Sequence, residues 1–459
     1  MFLLVEPVGK VWFIMRRKLN SGLVVTAVVL AVLAGACAGP AASTSTTTLV
    51  QTSTTIDETT TTTTAESGAQ AALRMQIDEL IQITEEYREL DFLEPPTVTI
   101  VTDDELAARV RQQLEDELDL TDLARDTAVQ VLLGLINPGV DLFELYTELY
   151  SEQVAGYYDG ELKELVVPAG TELSELQKVT LVHELTHALT DQHFLFDARI
   201  EQLDDEDRFD ELSALQAVIE GDASFTELLY VTELPIAAQM QIVTEAFAQD
   251  TTILEQTPPF IEDLLLFPYL VGSEFIQSLW NSETGFDPVN DAYLDPPTTT
   301  EQIYHPETYR RSDEFTEIVL PDTMLPGYEV EEEAVWGEVS FRVMFDQGLA
   351  ATTAREAASG WGGDHYRVLW DGEEAAYVLL YEGDTNQDAA EMYDALVTYA
   401  GSQMDVGEAE TTEVSATFAG KDFAYITIDG DQVLFIASSD PEVGPVLVAA
   451  MADPEDAST

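Results

Sequence analysis

Apolar residues recur at three-and-four spacing from about Ala69, through AALRMQIDELIQITEEYREL. That is the period of a helix with one buried face. The short run PPTVTIVT reads as a strand. DDELAARVRQQLEDEL reads as a helix opened by an acidic cap at Asp103–Asp104, and another helix runs through TAVQVLLGLI to the breaker Asn137-Pro138-Gly139. ELYSEQVAGYYDGELKELVVP then predicts helix, strand, Asp159-Gly160 turn and strand, a hairpin signal. A helix over Glu175–His193 and a second over Leu212–Val231 flank the acidic DDEDRFDE. Helical pattern continues to Trp280, and DPPTTTEQIYHPETY reads as a Pro-rich ordered loop or short helix.

The pattern changes after a Pro-containing connector over 313–329. Residues 330–459 predict helices around Trp336 and Ala354, then the strands YRVLWDG and AAYVLLYEG. The helix DAAEMYDALVTYA, the strands DFAYITIDG and QVLFIAS, and a last helix complete the unit. The expected fold class is therefore α+β: a mainly helical body over 69–312 carrying a short β-hairpin, and a smaller α+β C-terminal lobe.

Composition sets the N-terminal region apart. MRRKLNSGLVVTAVVLAVLAGAC joins a basic start to an apolar run from Leu23 to Leu33 and then small residues. This is a secretory signal layout, too short for a membrane span. Residues 1–14 precede a better start at Met15. LAGAC resembles a bacterial lipobox, although Ala34 stands where Leu is usual and Leu33 is one place early. Residues 1–37 are thus expected to be a signal peptide with a lipobox, and Cys37, the sole cysteine, the lipidated first residue. A plain signal peptide cut nearby would instead leave a free thiol. The Thr/Ser-rich stretch over 38–68 lacks the large apolar residues needed to fold and reads as a disordered tether. An exported protein, lipid-anchored to the membrane and facing outside, follows.

The formal charge is −68, and the only lysines are Lys10, Lys18, Lys163, Lys178 and Lys421. Phosphate binding needs clustered Lys/Arg, so nucleic acid is excluded as a partner. Acids spread along the whole chain fit a solvated surface in salty surroundings, where ions screen self-repulsion.

Candidate chemistry concentrates in LVHELTHALTDQHF, residues 181–194. Residues four apart share a helix face, so His183 and His187 can present two imidazoles to one metal ion. From its neighbouring position the Glu184 carboxylate can reach a water on that metal, the arrangement of zinc hydrolases. The competing reading is a core helix whose histidines bond to carbonyls. A catalytic zinc site needs a third protein ligand. Glu220, in LQAVIEGDASF, lies 33 residues beyond His187 on an apolar helix, where a lone charge would be expensive to bury. Gly221 beside it would let another backbone come close. No Gly-x-Ser-x-Gly elbow or dinucleotide fingerprint competes.

His-Glu-x-x-His followed by Glu-Gly-x-Ala resembles the gluzincin zinc metallopeptidases. VAGYYDG, LVHELTHALTDQHF, IEGDA and TTEQIYHPETY, in this order, resemble a family of secreted bacterial and archaeal metallopeptidases over residues 70–310. The resemblance implies a zincin-like catalytic domain over 69–312, Zn2+ on His183, His187 and Glu220, and Glu184 as general base. It also implies a peptide or protein substrate running along the hairpin, which Tyr157 and Tyr158 would line. Thermolysin-like gluzincins place an Asp four residues after the ligand glutamate to support a histidine. Ser224 occupies that position, so Asp222 or Asp191 is expected to take the role. His305 is the candidate for oxyanion stabilisation, with Tyr304 and Tyr309 behind it. His193, six residues past His187, is expected to cap or support rather than ligate. Two other functions remain open: a non-catalytic, zinc-containing surface scaffold, and a solute-binding lipoprotein.

Overall fold

The computed structural model describes residues 23–25 and 68–452, leaving aside 118–119, 152–155, 161, 171, 250, 313–314 and 322–324. Cys37, most of the signal region and almost all of the tether lie outside the described residues. The fold is α+β, with a helical body and a C-terminal unit built on a seven-stranded sheet.

The predicted helices of the body form, with their ends set by local chemistry. The helix Asp103–Glu117 starts from Thr102 rather than from the expected acidic pair. Thr102 Oγ1 accepts from the Glu105 amide, and the Glu105 carboxylate accepts from the Thr102 amide. That reciprocal pairing is a capping box. The hairpin is present, with Tyr157–Asp159 antiparallel to Glu164–Pro168. Thr97–Val101 adds in parallel to the outer side of Glu164–Pro168, and Leu23–Val25 lies antiparallel to Tyr157–Asp159.

Two helices carry the centre of the body. The motif helix, Glu175–Phe194, opens at Ser174 with a second capping box to Gln177 and closes at Leu195 in a left-handed conformation. It is buried on every side from Val179 to Asp191, as befits a helix at the middle of a large core. The long helix Phe209–Glu233 packs across it, and Pro259–Leu279 packs across that in turn. The contact between these last two is close because both carry glycine at the crossing. A Cβ on Gly221 would collide with the Gly272 backbone, and one on Gly272 with Ala217 O.

The C-terminal sheet is antiparallel throughout. Its order is Glu329–Ala334, Trp361–Trp370, Ala375–Gly383, Gln432–Ser438, Phe423–Asp429, Ser415–Ala419 and Ala409–Thr411. The first of these strands, EVEEEA, was not expected, because its charge masks its alternation. Glu332 is nevertheless buried, accepting from Tyr366 Oη and facing Arg125 of the helical body. The apolar core runs unbroken from Leu73 to Ala437 across the connector. Polar ties reinforce the joint. Thr300 Oγ1 donates to Asp210 at 2.5 Å and accepts from the Val339 amide at 3.1 Å, and Tyr399 Oη donates to Leu133 O at 3.0 Å. Gly337, at φ +73°, admits the Asp210 carboxylate where any side chain would strike it.

Gly221→Ala should force the Phe209–Glu233 and Pro259–Leu279 helices apart and lower stability by about 1–3 kcal/mol, the usual cost of overpacking. Chemical denaturation of the variant beside the parent protein checks this; an unchanged midpoint would contradict the close crossing.

Candidate metal centre

The crossing of the motif helix with Phe209–Glu233 brings His183, His187 and Glu220 together. One ligand atom from each lies within 4.8 Å of the others, and all three residues are buried. Glu220 Oε2 is 3.1 Å from His183 Nε2 and 3.3 Å from His187 Nε2. Tetrahedral zinc with bonds of about 2.0–2.1 Å sets its ligands about 3.3 Å apart. The spacing therefore fits a shared ion, and it equally fits a proton shared between Glu220 and His183. The orphaned atoms favour the ion. Neither nitrogen of the buried His187 ring has an aligned hydrogen-bond partner among the described residues, and Glu184 Oε1 has none either. Buried polar atoms without partners are costly.

Glu184 lies on the motif helix beside His183 and is wholly buried. Its Oε2 accepts from the Tyr158 amide of the hairpin at 2.8 Å. The hairpin is fastened to the same helix twice more. Tyr158 Oη donates to Asp191 at 2.6 Å, and Lys163 Nζ donates to Asp191 and Asp197, each at 2.6 Å. One of the chain's five lysines is thus spent on holding this hairpin in place. The Tyr269 ring stacks beside His183, with centroids 6.1 Å apart. In this arrangement the centre is closed.

The residue that orients His183 is neither Asp222 nor Asp191. Asp222 is tied to Arg88 Nε at 2.8 Å and to Tyr293 Oη at 3.0 Å, and Asp191 to the hairpin. Glu227 takes the role instead, its buried carboxylate 3.3 Å from His183 Nδ1. Glu227 stands seven residues after Glu220, two turns along the same helix face. That spacing was the available signal, and the expected position four residues on holds Ser224.

His305 is not brought to the centre. Pro306 starts a new helix, Pro306–Arg311, and the His305 ring reaches the buried Glu338 of the C-terminal unit at 3.2 Å, beside Arg342. The expected oxyanion role is withdrawn on that ground. Tyr304 lies under the Arg342 guanidinium, and Tyr309 donates to Asp295 O at 3.0 Å, so both are held by packing contacts of their own. His193 Nε2 pairs with Asp91 O at 2.9 Å, a support between the motif helix and the chain before it.

Burial opposes a charge on His183, but hydrogen bonds to Glu220 and Glu227 prevail and push its pKa up to about 10. Burial likewise works against ionised Glu220, yet the two histidines hold its pKa down to about 2. Burial raises Glu184 well above the ordinary carboxyl range. These bonds favour a proton on His183 beside the Glu220 carboxylate, with which an entering cation would compete.

A domain of unknown function, DUF8575, matches residues 324–447, which fall in the C-terminal unit and exclude the histidine cluster. No curated protein and no solved structure matches the chain.

Folding favours the protonated form of His183, so its contribution to stability is complete below its ordinary pKa of 6.5 and is lost as pH rises toward about 10. Chelator-treated protein should accordingly show a melting temperature that falls across that window. Saturating zinc should flatten the fall. Glu227→Gln should weaken zinc binding by about 10–100-fold, as loss of an outer carboxylate does, measured by competition with a chromogenic chelator. Equal affinities would assign Glu227 to packing alone.

Proposed function

We propose that this chain is a zinc-dependent peptidase displayed on the cell surface, held to the membrane by a lipid on Cys37. The observation that carries the proposal is the convergence of His183 Nε2, His187 Nε2 and a Glu220 oxygen, with the Glu184 carboxylate one position away on the same helix. His183, His187 and Glu220 would hold the ion. Zinc, when bound, supplies Lewis acidity, making a water easier to deprotonate and a carbonyl easier to attack.

The protein's own groups do the rest. Glu184 takes the proton of the attacking water and returns it to the departing amine of the cleaved peptide bond. Burial raises the pKa of Glu184, which makes its ionised carboxylate a stronger base toward that water. Glu227 fixes the His183 ring so that Nε2 faces inward. The hairpin strand Tyr157–Asp159 borders Glu184, and its outer edge, paired here with Leu23–Val25, would be free for an extended peptide once the signal segment is removed. Substrate can reach Glu184 only when the Tyr158 amide releases it, so opening of the hairpin belongs to the cycle.

The closure of the site favours a second reading. A metal sealed beneath Tyr158 and Tyr269, with Glu184 wholly buried, would also suit a surface scaffold that keeps zinc for stability alone. Metal content does not separate the two readings; turnover does.

Glu184→Gln should retain about one zinc per chain and lose at least about 100-fold in cleavage of a peptide library, the range expected for removal of a general base. Metal-replete parent protein that cleaves no peptide would favour the scaffold. Equal cleavage by parent and variant would remove Glu184 from the chemistry.

A further inference from the structure

The helix Ile236–Ala246 follows the Glu220 helix around a Leu234–Pro235 corner and packs on the motif helix. Ile242 and Ala246 are buried, and the Glu245 carboxylate accepts from the Leu176 amide at 2.9 Å. Its outer face is apolar. Ile236, Met240 and Phe247 fall on one helical stripe and are 78%, 60% and 72% exposed. Single exposed apolar residues are ordinary, whereas several aligned on one helix mark a contact surface.

The charge pattern singles out the same place. Residues 234–249 carry one charged side chain, Glu245, where the chain's average of 106 charges in 459 residues would put three or four. The surrounding acidity repels anionic surfaces, and this helix has no Lys or Arg to attract them. The surface it fits is therefore apolar at depth and neutral at its boundary.

A second copy fits poorly. A stable dimer buries about 800 Å² on each partner, and a helix of 11 residues is only about 16 Å long. Two bodies of formal charge −68 would also have to meet. A lipid surface needs only the stripe itself. Thirty residues lie between Cys37 and Gly68, a reach of about 100 Å at full extension. A lipid on Cys37 would hold the body within that distance and raise its effective concentration at the bilayer.

We infer that Ile236, Met240 and Phe247 insert into the interfacial layer of a zwitterionic membrane and seat the helical body on it. The inference rests on the reading of Cys37 as the lipid anchor and is independent of the zinc chemistry. It makes the N-terminal end of the motif helix, beside Leu176, the membrane-proximal side of the body.

The test uses the full lipidated protein in phosphatidylcholine vesicles that contain brominated lipid. Lipidation blocks Cys37, the only native cysteine, so an environment-sensitive dye can be attached at Met240→Cys or, as control, at the exposed Thr398→Cys. Emission at position 240 should fall about twofold while position 398 is unaffected, since bromine quenches only dyes within the interface depth. Adding Ile236→Ser and Phe247→Ser should abolish the quenching. Quenching at neither site, or equally at both, would overturn the seat. So would an emission change that follows protein density without brominated lipid, which would identify a contact between copies. Protein that fails to float with the vesicles would defeat the anchor, and the inference with it, while leaving the metal centre untouched.

Discussion

A carboxylate buried in an apolar core needs a positive partner, and Glu220 meets the His183 imidazole, with His187 beside it, both delivered by another helix. Isolated burial of such a charge is prohibitive. The pairing therefore dictates where the motif helix crosses Phe209–Glu233, and that crossing organises the body. Hydrogen bonds to Glu220 and Glu227 favour a proton on His183, placed between the two carboxylates. A divalent cation can replace it at the same spacing. The geometry that satisfies the core is thus the geometry that binds a metal.

The surroundings serve this crossing. Gly221 and Gly272 let the Pro259–Leu279 helix lie against the Glu220 helix closely enough to bring Tyr269 beside His183. Arg88 and Tyr293 both hold one oxygen of Asp222, whose charge also acts on His187. Tyr158, Asp191, Lys163 and Asp197 latch the hairpin over Glu184. The latch has a buried part, the Tyr158 bonds to Glu184 and Asp191, and an outer part at Lys163, which is about half exposed. The Lys163 contacts are the part of the latch that solvent can replace at little cost.

What could be read in advance was local. The motif helix, the hairpin and the Glu220 helix each announce themselves by period, cap or turn residues, and Gly221 by its place beside a buried acid. What could not be read depends on partners far along the chain. Glu227 acts only because the long helix stays regular for two turns past Glu220 and keeps the same face toward His183. His305 sits in a context suggesting chemistry, yet Glu338, 33 residues later, takes its ring. The strand EVEEEA carries no visible alternation because four of its six residues are glutamates, and Arg125 with Tyr366 explains why Glu332 can be buried. The composition change near 313–329 suggested a separate lobe. The DUF8575 match begins at residue 324, and the apolar core continues straight across the connector.

The central claim is that His183, His187 and Glu220 bind one metal ion. X-ray absorption at the zinc edge on protein purified without added chelator tests it most directly. About one zinc per chain is expected in a four- or five-coordinate shell, with two imidazole nitrogens and carboxylate oxygen at about 2.0–2.2 Å. The imidazole signal should disappear in His187→Ala. A shell of six oxygens, or a folded protein that takes up no zinc, would contradict it.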